Sequence, residues 1–140
     1  MKISKITYYS VPRNDSAVCD CCGKSIQNIC AVTTKDQTHL LFGTTCFDKL
    51  IKDKLTSWQR KEMNRLTKSI KFYNQRILSW QDMTEEKFRS GWKGGEKMPW
   101  DEYDDIHSFE EYKAWMLNEF YPYRLSLEEK ELEKFSKIEF

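Results

Sequence analysis

The first third of the chain carries short runs of apolar residues separated by polar turns, and the pattern then changes to a helical period. Residues 5–11, Lys-Ile-Thr-Tyr-Tyr-Ser-Val, are β-branched and aromatic and predict a short strand that ends before Pro12. Arg13-Asn14-Asp15-Ser16 supplies a turn. A strand over Ile26–Thr33, a turn at Lys35-Asp36-Gln37 and a second strand over Thr38–Phe42 read as a hairpin. Gly43 then precedes a helix with Thr44 or Thr45 as its N-cap.

From Thr56 the steps change to three and four. Thr56-Ser57-Trp58-Gln59 has capping-box spacing, and Met63, Leu66, Ile70, Tyr73, Ile77 and Trp80 form one apolar seam, so a long helix is predicted over 56–83. Lys61, Arg65, Lys68, Lys71 and Arg76 lie off the seam and make its outer side basic. The seam is expected to pack against later helices of the same chain, in a monomer, rather than in a coiled-coil dimer. Ser90-Gly91-Trp92-Lys93-Gly94-Gly95 and Met98-Pro99 predict a loop, with Trp92 and Trp100 as anchors or as an exposed contact surface. Beyond it, Ser108-x-x-Glu111 and Ser126-x-x-Glu129 predict helices over 109–120 and 127–138, separated at Pro122.

These elements give an α+β chain: a small hairpin unit over 19–54, the long basic helix over 56–83 and an acidic helical region over 100–140, within a single domain spanning 1–140. Charge sharpens the division. Residues 1–80 hold 14 Lys and Arg against 6 Asp and Glu, a balance of +8, while residues 81–140 hold 9 against 16, a balance of −7. Such a chain can offer a basic face to nucleic acid and an acidic face to a basic protein. Neither a spanning apolar run nor the apolar core of a signal peptide is present in the sequence, which points to the cytoplasm and away from membranes.

The chemistry is concentrated in the cysteines. All five fall within the first 46 residues, a clustering that favours metal over a disulfide scaffold. Cys19-Asp20-Cys21-Cys22-Gly23 has the spacing of a zinc knuckle, with Gly23 free to adopt the positive backbone angle of the turn. Cys46 follows Phe42-Gly43-Thr44-Thr45 in the first turn of a helix, where free amides favour a thiolate. Knuckle, hairpin and a ligand at a helix start form a treble-clef arrangement, so Cys19, Cys22 and Cys46 are the expected ligands of a structural Zn2+. Structural zinc takes four ligands, and Cys30, Cys21, His39 and an aspartate compete for the last place. A hairpin turning at Asp36-Gln37 sets Cys30 opposite Gly43, near Cys46, and His39 opposite Thr34, near the tip. Cys30 therefore leads and His39 is the alternative, although a cysteine in an apolar strand is commonly a small buried hydrophobe.

Catalysis finds little support. The two histidines, His39 and His107, stand in no His-Glu-x-x-His or deaminase-type pattern, no Gly-rich phosphate loop is present, and the expectation is a protein that is not an enzyme.

The stretch Cys19 to Asn28, continued by Phe42 to Leu50, resembles the zinc-finger segment of small phage and prophage proteins, and the whole chain is similar to zinc-binding type II-A anti-CRISPR proteins encoded by phages. That resemblance implies a non-enzymatic inhibitor, acting in a bacterial host cytoplasm, that binds a type II CRISPR RNA-guided effector nuclease and blocks target-DNA engagement or cleavage. Such nucleases hold nucleic acid in basic channels. The acidic residues Asp101, Glu102, Asp104, Asp105, Glu110 and Glu111 are accordingly the candidate partner-binding set, with Tyr103, Phe109 and Tyr112 as apolar anchors. The alternative function is a nucleic-acid-binding zinc module that uses Lys61, Arg65, Lys68 and Arg76.

Overall fold

A computed structural model describes residues 1–140. The architecture is α+β, a small antiparallel sheet bearing the cysteine cluster, followed by a mainly helical region. Strand β1 (Ile3–Ser10) pairs with β4 (Asn28–Thr34), and β4 pairs with β5 (His39–Gly43), in the order β1-β4-β5. A separate two-stranded ladder joins β2 (Ala17–Val18) to β3 (Ser25–Ile26) across the knuckle. The strand expected over Ile26–Thr33 is thus interrupted at Gln27, whose carbonyl instead accepts the Val11 N–H at 2.9 Å. Arg13–Asp15, expected as a turn, form one turn of 3-10 helix.

The hairpin register differs by one residue from the sequence expectation. Its loop is three residues long, Lys35 to Gln37, closed by the Thr34 N–H donating to the Thr38 carbonyl at 3.0 Å, with Gln37 in the left-handed region at φ 68°. A two-residue turn would have offset the pairing by one and exchanged the residues that share a face. Cys30 consequently stands opposite Phe42, His39 opposite Thr33, and Ile29 opposite Gly43.

Helix α1 (Thr44–Leu50) begins directly after β5. Gly43, not Thr44 or Thr45, occupies the N-cap, and no side chain caps it. Helix α2 (Ser57–Gln81) opens with the predicted capping box: the Gln59 N–H donates to Thr56 Oγ1 at 3.2 Å, and the Thr56 N–H donates to Gln59 Oε1 at 2.9 Å. Its seam is buried within the chain, in two places. Met63, Leu66 and Ile70 enter a core shared with β1, β4, β5, α1 and the C-terminal residues Leu132 and Phe135. Trp80 enters a second core built with Trp100, Ile106, Phe109, Met116 and Tyr121, and the seam residues Tyr73 and Ile77 pack against its edge.

The region after α2 holds two departures from the sequence expectation. Thr84 accepts the Lys87 N–H on its hydroxyl and starts a short helix, α3 (Glu85–Gly91), ahead of the expected loop. Its Phe88 stacks on Trp92 at 5.6 Å, and the Trp92 indole donates to the Lys97 carbonyl at 3.0 Å, while Trp100 is buried. Both tryptophans therefore anchor the loop. The second departure is that the helices expected on either side of Pro122 form one helical run: α4 (Phe109–Trp115), a π turn over Met116–Phe120 and α5 (Tyr121–Leu132). The π turn closes with the Tyr121 N–H donating to the Met116 carbonyl, so the wide turn lies immediately before Pro122 and accommodates its missing donor. Ser126 caps nothing; its hydroxyl donates to the Tyr123 carbonyl at 2.6 Å inside α5.

Leu66 is fully buried at the contact of α2 with the first core. Leu66→Ala is expected to destabilise the fold by about 2–5 kcal/mol. Urea denaturation followed by far-UV circular dichroism measures the change.

Candidate metal centre

The knuckle is shaped by its backbone. The Cys19 N–H donates to the Lys24 carbonyl and the Gly23 N–H donates to the Cys19 carbonyl, both at 2.9 Å, and Gly23 adopts φ 75°, an angle that a side-chain-bearing residue would hold under strain. Asp20 then fastens the turn to the hairpin at two points. Its N–H donates to the Leu41 carbonyl at 2.8 Å, and its carboxylate accepts the Leu41 N–H at 2.7 Å. This clamp was missed in the sequence; the only available signal was an aspartate at the head of a turn, a position that favours side-chain bonds to nearby amides.

The clamp brings the knuckle over the start of α1. The thiols of Cys19, Cys22 and Cys46 lie within 4.8 Å of one another. Cys19 is the buried member, Cys46 is half-buried and Cys22 is exposed. Burial alone would raise the Cys19 pKa, but N–H groups of Cys22, Gly43 and Cys21 and the Cys46 thiol are directed at its sulfur, and together they bring it down to about 7. The Gly43 amide contributes at 3.4 Å. Cys46 moves the other way, up to about 12, because the Cys22 thiol, its own partial desolvation and the Cys19 and Cys21 thiols favour its protonated form. Three sulfurs held together, one of them with backbone amides directed at it, form a soft donor set suited to a thiophilic metal.

The competing ligands are placed elsewhere. Cys30 is completely buried in the first core, on β4 between Tyr8 and Phe42, and its thiol is pushed up to about 12 by desolvation. The one-residue change in register explains the difference, since it pairs Cys30 with a core phenylalanine instead of with the glycine beside Cys46. His39 lies toward the hairpin tip, where Nδ1 stands 3.1 Å from Thr33 Oγ1. Neither joins the three thiols. Cys21 is exposed at the side of the knuckle and reaches Cys46 without sharing the mutual spacing of the three.

The acidic candidates divide. Glu102, Asp104, Asp105 and Glu111 line one concavity of about 720 Å³, together with Glu119, which the sequence reading did not select, and with Tyr103 and Trp115. Asp101 instead accepts the Met98 N–H at 2.8 Å, and Glu110 does not line the concavity. Of the expected anchors only Tyr103 is exposed, its ring 5.5 Å from that of Trp115. Phe109 is buried and Tyr112 packs among Trp80, Phe88 and Trp100, so both belong to the second core.

The basic side of α2 is partly neutralised. Arg65 stands 3.3 Å from Glu62, 3.6 Å from Glu131 and 3.9 Å from Glu128, and Arg76 donates from Nε to the Tyr121 hydroxyl at 3.2 Å. Lys61 and Lys68 remain exposed, as does Lys71.

The fold and its site define an α+β protein with a cluster of three cysteines, close enough together to be compatible with a metal site. No protein-family model, curated protein or solved structure matches the chain. No helix is long and apolar enough to cross a membrane.

Asp20→Ala removes one acceptor at the exposed side of the clamp and is expected to cost about 1 kcal/mol of stability. Faster amide hydrogen exchange at Leu41, read by NMR, should accompany the loss, with exchange in α5 unchanged.

Proposed function

We propose that the chain is a non-enzymatic binding protein in which a structural Zn2+ on Cys19, Cys22 and Cys46 fixes the N-terminal unit, while the acidic concavity beside Tyr103 docks on a basic partner. The observation that carries this reading is that five acidic residues, Glu102, Asp104, Asp105, Glu111 and Glu119, line one hollow with Tyr103 and Trp115, the Glu111 carboxylate also accepting the His107 N–H at 2.8 Å. Carboxylates around an aromatic centre suit a strongly basic surface: the charges steer and orient encounter, and the rings supply desolvated contact. The resemblance of the chain to phage-encoded anti-CRISPR proteins gives that partner a particular form, a type II effector nuclease bound through its basic nucleic-acid channel, with target DNA excluded as the consequence.

Zinc is the metal proposed because thiolate-rich clusters at a knuckle and a helix start favour a tetrahedral, redox-inert ion. The thiolates would be supplied by Cys19, already amide-stabilised, and by Cys22 and Cys46 after loss of their protons to solvent, so zinc affinity should fall as pH is lowered. The function of the ion here is to hold the knuckle on α1. Cys46→Ser should release stoichiometric zinc and lower the melting temperature; loss of zinc at an unchanged melting temperature would remove the structural role.

Nucleic-acid binding through α2 is the weaker reading, because Arg65 and Arg76, two of its four cations, have partners within the protein. The two readings separate in one pair of assays. The docking reading expects a stable complex with guide-loaded effector nuclease in gel filtration, little affinity of the isolated protein for DNA, and loss of the complex in Asp104→Asn/Asp105→Asn with the melting temperature retained. Undiminished binding by that double variant would exclude the concavity, and steeply salt-dependent DNA binding by the isolated protein would favour α2.

A further inference from the structure

Four-cysteine zinc sites built on a knuckle and a helix start draw two ligands from each half. Here the knuckle gives Cys19 and Cys22, three residues apart, but the residue three before Cys46 is Gly43. Gly43 carries no side-chain donor and sits in a close place. Its amide is directed at Cys19 Sγ, 3.4 Å away, and a Cβ built there would come within 3.1 Å of Ile26 Cγ2, on the neighbouring ladder. Of the chain's other donors, Cys30 lies wholly within the first core, His39 contacts Thr33 and the Asp20 carboxylate holds the Leu41 amide, while Cys21 is exposed and reaches Cys46 but stands outside the mutual spacing of the three. The three thiols are enclosed on the side of Cys19 and open on the side of Cys22 and Cys46.

Resting on the zinc reading above, we infer that the chain supplies three ligands and that the fourth position faces solvent and takes an exchangeable neutral donor, water or an added imidazole. The chemistry of the site selects the donor. Three thiolates on a divalent cation already leave one net negative charge, and Asp20 stands in the same turn. A fourth thiolate would add a further negative charge, whereas neutral imidazole adds none and is a good ligand for zinc.

Cobalt(II) reports its own coordination in the visible spectrum and can be loaded into the 140-residue chain in place of zinc. Wild type and Cys21→Ser should each bind one cobalt with the same thiolate charge-transfer intensity, and added imidazole should shift the visible bands saturably in both, with cobalt still bound after desalting. A weaker charge-transfer band in Cys21→Ser would make Cys21 the fourth ligand and overturn the inference while leaving the metal reading intact, and a wild-type spectrum indifferent to imidazole would do the same. Failure of wild type to take up cobalt, or full retention by Cys22→Ser and Cys46→Ser, would instead bring down the metal reading and the inference with it. Cys21 is exposed, so the decisive variant is expected to fold.

Discussion

One helix has to serve two cores. The 25 residues of α2 extend over roughly 38 Å at the rise of an α-helix, and the seam meets the sheet at Met63, Leu66 and Ile70 and the aromatic cluster at Trp80. Neither core has other elements enough to close without it. The sheet is three strands with one face to cover, and the aromatic cluster is assembled from short helices and loops. The path of α2 away from the cysteine unit therefore sets where the second half of the protein lies, and that path begins at α1, which the knuckle holds.

The same arrangement gives the charge asymmetry its spatial meaning. Arg65 reaches across to Glu128 and Glu131 on α5, joined there by Lys134 and Glu62, so part of the opposition between the basic and acidic halves is spent in packing α5 on α2. Hydrogen bonding to Lys134 holds the Glu131 carboxyl below the usual carboxylate range. Glu128 is largely buried, but the Arg65 and Lys134 ends are exposed and the pairs individually weak. Their weight lies in register, since they lie beside an apolar seam that alone would tolerate sliding. The acidic residues over 102–119 form no ion pair, although Glu111 accepts the His107 N–H at 2.8 Å.

Much of this was legible in local signals. Capping at Thr56 and Ser108, the seam of α2 and the spacing of Cys19, Cys22 and Cys46 each depend on residues close in sequence, and each is found in the structure. Cys30 was misread because its environment depended on one residue of loop length: an odd loop closed by Thr34 and Thr38 turned a candidate ligand into a core residue. The acidic set was only half legible for a similar reason. Composition marks the segment, but whether Asp101 caps a turn or lines a hollow, and whether Tyr112 faces in or out, follows from how Trp80, Phe88 and Trp100 pack. Pro122 misled because a proline ends a regular helix, while a π turn placed one residue earlier lets the helix continue.

That π turn does more than make room for a ring. A helix advances about 100° per residue, so one extra residue in a single turn rotates everything after it by about that angle relative to everything before. Upstream, Phe109 and Met116 face the aromatic cluster; downstream, Tyr121 stays with that cluster and Leu132 and Phe135 face the sheet. The inserted residue works as a phase adjuster between two surfaces that a straight helix would meet at the wrong angle. A chain with a residue deleted between Met116 and Phe120 would keep its composition and its helix propensity, yet it could satisfy one core only by turning away from the other.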